Sequence, residues 1–271
     1  MPSRAESAVF SFEASDYTDE LYCYAQSTLS EFAHRLGDPV VDSFLVFAQQ
    51  LHSTGLPICD SSDFEVLNDG EPIGSGATMT VFKSYWRSRE KIVAVKKINL
   101  GVPIGTSMLE IHDQNYRNML RSLLFELRVM HHPSFQAHSN FVDLLGVSWE
   151  RVESDESLCG YRPSIIVELA DEKTPTLQSF LYQQDESWTD EIRALAFNLL
   201  TDVAEGVTML HATKIVHGDL KPENVLLFHA PGRLMAKISD FGFCNPFAES
   251  RDQIGGTLYW NAPVCFSSNA A

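Results

Sequence analysis

The chain has 271 residues, 44% of them hydrophobic and 21% charged, the composition of a folded globular protein with one large domain or two small ones. Its 20 Lys and Arg against 36 Asp and Glu leave a formal charge of −16, which excludes nucleic acid, itself a polyanion, as an expected partner. No run reaches the roughly 18 apolar residues of a membrane span, and five dispersed cysteines without a Cys-x-x-Cys pair argue against a disulfide framework or a zinc knuckle.

In chain order, the first 63 residues read as an acidic helical extension. Thirteen acidic residues but only Arg4 and Arg35 precede position 72, so most of the net charge sits at this end. Apolar residues recur at helical spacing in two groups, Leu21, Tyr22, Leu29, Phe32 and Leu36, then Val40, Val41, Phe44, Leu45, Phe47, Ala48 and Leu51. Gly37-Asp38-Pro39 separates them. The stretch admits two readings: a pair of amphipathic helices docked on the domain that follows, or an acidic arm that binds a regulatory partner or inhibits in cis. Met1–Glu6 leads into acidic sequence rather than an apolar signal core, so the expected compartment is the cytoplasm, with the nucleus open.

From Phe64 to about Ala170 the texture changes to short β-rich runs, at Val81–Lys83, Lys91–Val95, Phe141–Val147 and Ser164–Val167. One helix interrupts them from about Asn118 to Met130, with Leu120, Leu123, Leu124, Leu127 and Met130 on one face. Gly101, Pro103 and Gly105 break both periodicities, so the residues from Asn99 to about Asn118 read as an inserted, exposed connection. Residues 171–271 are mainly helical, with a long apolar segment from Ile192 through Leu210. A small sheet with one helix, followed by helices, is an α+β order.

Three segments carry chemistry. Ile73-Gly74-Ser75-Gly76, lying before the strand that holds Val81, would let backbone N–H groups close on a phosphate. It is not a Walker loop, because no Gly-Lys-Ser/Thr follows, and it opens no helix as a dinucleotide fingerprint would. Downstream, Val93-Ala94-Val95-Lys96 sets a lysine on an apolar strand, where it must find an anion or reach solvent, and Glu126 in the apolar helix is a plausible partner. The third segment is Ile215–Leu227 with its His217-Gly218-Asp219-Leu220-Lys221-Pro222-Glu223-Asn224 core, followed by Ser239-Asp240-Phe241-Gly242. Two aspartates, a lysine and an asparagine in loops bounded by apolar runs are the inventory of phosphoryl transfer.

In these segments and their order the chain resembles the eukaryotic protein kinase superfamily, Ser/Thr type, from about Phe64 to Pro263. The resemblance implies a two-lobed α+β fold: an antiparallel β N-lobe with one main helix, then an incomplete helical C-lobe, with ATP and Mg²⁺ between them. It implies Asp219, Lys221, Lys96 and Glu126 as the catalytic set. Asp219 is then the base, Lys221 steadies the γ-phosphate, and Lys96 holds the inner phosphates while paired with Glu126. Asn224 and Asp240 bind the metal. Ile73, Gly74, Ser75 and Gly76 cover the nucleotide, Val81, Ala94 and Leu226 sandwich the purine, and backbone groups of Glu168 and Ala170 meet its edge. Met130, Leu144, His217 and Phe241 match the stack of side chains that joins the lobes. The implied substrate is a protein carrying Ser or Thr. A kinase for small molecules is disfavoured by Lys221 and by Gly256-Thr257 before Ala262-Pro263.

Four departures from the family pattern stand out. Met79 occupies the third glycine position, Gly218 replaces the usual arginine before the base, Val264 replaces a glutamate, and the helices expected beyond Pro263 are absent from these 271 residues. The last point predicts an exposed apolar underside on the Ile192–Leu210 helix, unless the N-terminal helices cover it. It also keeps open a second reading, a nucleotide-binding pseudokinase acting as scaffold or regulator.

Overall fold

The fold is seen in a computed structural model that describes residues 39–76, 78–99, 108–152, 160–184, 188–246 and 256–260. The expected helix at 21–36 and residues Ala262, Pro263 and Val264 lie outside these.

Pro39, at a helix start where its missing N–H costs nothing, begins α1 (Pro39–Thr54). The first strands follow as β1 (Phe64–Val66), β2 (Gly74–Ser75), β3 (Met79–Trp86) and β4 (Lys91–Ile98). Helix α2 (Met108–Met130) precedes the short α3 (Pro133–Gln136), β5 (Leu144–Val152) and β6 (Gly160–Glu168). The sheet runs β1-β3-β4-β6-β5, with β2 added against β3, and every pair is antiparallel. The strand period of two then sorts β4: Val93 and Val95 pack with Trp86 and Ile166 on one face, while Ala94 and Ile98 enter the main core on the other. Lys96 lies between those two and shares their face.

Helix α2 begins ten residues before its expected start. Met108–Arg117 contains neither glycine nor proline, and Tyr116, four residues before Leu120, extends the buried stripe through Leu123, Leu127 and Met130. The expected insertion shrinks accordingly to the residues that precede Met108. Helix α1 packs on α2 and β6 through Phe44, Phe47 and Leu51, each worth about 1.5–3 kcal/mol when fully buried. The Phe44 ring stacks on Tyr161 at 4.7 Å between centroids and meets the edge of Trp149 at 5.5 Å. The helix therefore belongs to the upper lobe, and the expectation that it might cover the underside of the lower one is corrected.

The lower part holds α4 (Leu177–Gln183), α5 (Asp190–Ala212), β7 (Ile215–Val216), the hairpin β8 (Val225–Ala230) and β9 (Arg233–Ile238), and β10 (Asn245–Pro246). Thr176 and Ser179 close a capping box on α4, and Thr189 caps α5 ahead of Asp190 and Glu191, which suit its N-terminal dipole. Gly206 lets α5 press on β9, because a Cβ there would meet Ile238 Cδ1 at 2.7 Å. Buried Asp202 completes the join, accepting from both Arg233 terminal nitrogens and from the Ala236 N–H. On the other side of α5, Phe197 is 71% and Leu200 57% exposed, the apolar face expected from the sequence.

Candidate active site

The β4 register opposes Lys96 to Val81 on one side and Ile165 on the other, which aims its side chain at α2. There Lys96 Nζ donates to Glu126 Oε1 at 2.8 Å and to Asp240 Oδ1 at 3.4 Å. Burial alone would push the lysine pKa down, but the two carboxylates outweigh it and hold the pKa well above the usual lysine range. Glu126 is only 2% exposed, and Lys96 is its ion-pair partner in that buried setting. Asp240 sits in the left-handed region (φ 64°, ψ 74°), which turns its carboxylate toward Lys96 while Phe241 goes into the core. The Phe241 ring lies 5.5 Å from His217 and 5.9 Å from Phe141, in the same cluster as Met130 and with Leu144 packed against it. The expected stack is thus assembled. Phe141 joins it because its segment bridges to Ile238 of β9, a long-range pairing that no local periodicity signals.

The second cluster centres on Asp219. Its Oδ1 accepts from the N–H of Thr257 at 2.7 Å and from the Thr257 hydroxyl at 2.8 Å. Its Oδ2 lies 2.9 Å from Lys221 Nζ and accepts from Asn224 Nδ2 at 3.1 Å. Lys221 Nζ also donates to Thr257 Oγ1 at 2.7 Å, closing a ring of three side chains. Burial opposes the Asp219 charge, yet the hydrogen bonds from Lys221 and Thr257 prevail and keep its carboxyl below the ordinary range. His217 fixes the loop from behind. Its Nδ1 accepts from the Asp219 N–H at 3.3 Å, so Nε2 carries the proton donated to the Ser239 carbonyl at 3.0 Å. Burial lowers its pKa and keeps the ring neutral.

Asn224 ties the two clusters together. Its amide donates to the Asp219 carbonyl at 2.8 Å, while its own carbonyl accepts from Ser239 N and Oγ, the residue before Asp240. Among the described residues no group of three or more His, Cys, Asp or Glu could hold a metal by itself. Asn224 and Asp240 alone supply two oxygen donors, which suits a hard cation that completes its shell with water and phosphate oxygens, as Mg²⁺ does.

The remaining expected residues lie on the β2–β3 hairpin, on β4, around the end of β6 and on β8. Gly74 pairs with Val81 and Ser75 with Thr80, and the Ile73 N–H donates to the Val81 carbonyl. Asn99, which the sequence did not single out, holds this hairpin by donating to the Gly76 carbonyl at 3.0 Å and accepting from Thr80 Oγ1 at 2.7 Å. Met79 packs against the main core, so its side chain turns away from the glycine turn. Ala94 is buried, with Val81 and Leu226 packed on the same cluster. Glu168 turns its side chain to an ion pair with buried Lys237, and its N–H donates to the Asp143 carbonyl at 3.2 Å, so of its backbone groups only the carbonyl is left for the expected contact. Ala170 engages no backbone partner among the described residues.

Gly218 explains one departure. Its φ is +80°, and a Cβ there would collide with the carbonyl oxygen of Phe243. The strand after Asp-Phe-Gly runs through the space an arginine stem would need, and β10 pairs there with β7, Asn245 opposite Val216.

Comparison with known proteins agrees with this geometry. The protein kinase domain family matches residues 67–271, and the chain belongs to that family. Among relatives, serine/threonine-protein kinase MST20 of Pyricularia oryzae is 27% identical over 219 residues, covering 76% of this chain and 19% of that protein. Serine/threonine-protein kinase PAK mbt of Drosophila melanogaster is 28% identical over 237 residues, 85% of this chain and 31% of that protein. Inhibitor of nuclear factor kappa-B kinase subunit alpha of Danio rerio is 39% identical over a shorter 75 residues, 27% of this chain and 10% of that protein. The chain spans less than a third of the length of each of these relatives.

Proposed function

We propose that the chain is an ATP- and Mg²⁺-dependent protein serine/threonine kinase that transfers the γ-phosphate to a protein hydroxyl. The observation that carries this reading is the joint assembly of two charge networks, Lys96–Glu126–Asp240 and Asp219–Lys221–Thr257, linked through Asn224. Bound Mg-ATP would supply the phosphoryl group and part of the charge that neutralises it. The chain's own residues do the positioning. Lys96 stays cationic beside Glu126 and presents its ammonium to the inner phosphates, while the turn formed by Gly74, Ser75 and Gly76, closed by the Gly76 N–H on the Met79 carbonyl, covers them without side-chain bulk at the glycines. Asp219, held ionised, is the acceptor for the substrate hydroxyl proton, and Lys221 offers a cation to the transferred group. Thr257 fixes both side chains, so a hydroxyl-bearing substrate segment meets a preset pair.

The exposed Phe197 and Leu200 favour a second reading, a nucleotide-binding pseudokinase, because no described element braces α5 below the catalytic loop. Transfer of labelled γ-phosphate to a generic protein acceptor, with Asp219→Asn as control, separates the two. Loss of transfer in the control supports the kinase. Absence of transfer in the parent chain, with Mg-ATP still raising its Tm, overturns kinase activity for these 271 residues and leaves a nucleotide-binding pseudokinase or a fragment of a longer active kinase.

A further inference from the structure

Where α1 and α2 diverge on the outer face of the upper lobe, they leave a groove of about 340 Å³. Val46 and Phe47 of α1 face Leu120 and Leu124 of α2 across it, and its charged lining is wholly positive, from Arg117 and Arg121. Val46 is 53% exposed, an apolar side chain left at the mouth. A basic, apolar-floored groove is out of character on a chain of net charge −16. Its natural complement is a segment that interleaves carboxylates with aromatic rings.

Such a segment exists in this chain. Residues 10–24 contain Glu13, Asp16, Asp19 and Glu20, no lysine or arginine, and Phe10, Phe12, Tyr17, Leu21, Tyr22 and Tyr24. The connection is long enough: the residues between Tyr24 and Pro39 can span up to about 50 Å extended, whereas Val46 lies only about 10 Å along α1 from Pro39. We propose that the acidic aromatic segment 10–24 docks in cis in the α1–α2 groove, with its rings against exposed Val46 and its carboxylates toward Arg121. Tethering raises the effective concentration of the segment, so weak contacts suffice. The groove lies on the helix that carries Glu126, so an occupant braces the outer face of α2 while Lys96 holds the inner one. The docking surface stands apart from the catalytic reading and is tested without an activity assay.

The experiment is hydrogen–deuterium exchange on the full chain, read on peptides covering 10–24 and 117–124. The Arg121→Glu variant, and separately the fourfold Glu13→Lys, Asp16→Lys, Asp19→Lys, Glu20→Lys variant, should each speed exchange in residues 10–24 by about fivefold, the scale of a partly exposed ion pair. Combining the two charge reversals should restore protection, which a folding defect would not do. Unchanged exchange at 10–24 in Arg121→Glu overturns the proposal. Protection that rises with chain concentration also overturns it, because the occupant is then the segment of a second copy.

Discussion

Thr257 donates both its backbone N–H and its hydroxyl to the same oxygen of Asp219, at 2.7 and 2.8 Å, while accepting from Lys221. One residue after a glycine thus holds the base and the cation in fixed relation. Thr257→Ala should lower phosphate transfer by about 100-fold, the scale of a misplaced general base, with kcat falling and KM for ATP little changed. Thr257→Ser, which keeps the hydroxyl, should recover most of the loss. Equal damage from both variants would show that the hydroxyl has no positioning part.

The Lys96–Glu126 pair makes a prediction about stability as well as binding. Lys96→Met leaves Glu126 buried without its cation, a loss of about 3–5 kcal/mol for a pair of this kind. The double variant Lys96→Met, Glu126→Gln removes the orphaned charge and should regain much of it. Urea unfolding measures both, and Mg-ATP should raise the Tm of neither. A single variant as stable as the parent would mean that the Lys96–Glu126 pair adds nothing to stability.

How far the sequence reached can be judged from particular residues. Lys96, Glu126, Asp219, Lys221, Asn224 and Asp240 were legible because each needs a chemical type at a set place in an ordered series, and the structure brings them into two linked clusters. Phe141 and Asn99 were not, since their partners are distant in sequence and neither has a periodic signal. The start of α2 was misjudged because three helix breakers at Gly101–Gly105 concealed a helix that resumes by Met108. The placement of α1 depended on tertiary contact with Tyr161 and Trp149, which an amphipathic pattern cannot name.

His217 couples the catalytic loop to pH. It is buried and neutral, with its folded pKa held below the ordinary 6.5, so the unfolded chain binds this proton first as the solution is acidified. Its contribution to stability is present above pH 6.5 and is lost as pH falls from there toward the folded pKa. His217→Phe keeps the ring against Phe241 but cannot titrate. Unfolding free energies measured between about pH 7.5 and 5 should fall less steeply in the variant. An identical slope would show that His217 titrates alike in the folded and unfolded chain.

Gly218 makes the most specific prediction, because it separates two accounts of the same departure. If the arginine usual at this place were merely missing, restoring it would be harmless. The structure says otherwise: φ is +80°, and any Cβ at 218 meets the Phe243 carbonyl. Gly218→Ala should therefore cost about 1–3 kcal/mol by backbone strain and contact, and Gly218→Arg at least as much, with both displacing the strand that pairs Asn245 with Val216. Without a cation at 218, phosphate on the segment after Asp-Phe-Gly has no arginine there to recruit, and Ser250 phosphorylation should leave transfer unchanged. Comparing the Tm and the transfer rate of parent, Gly218→Ala and Gly218→Arg, each with and without phosphate at Ser250, tests both halves. A stable Gly218→Arg variant that gains phosphate-dependent activity would show that the segment can vacate this space, and that Gly218 records only a lost switch.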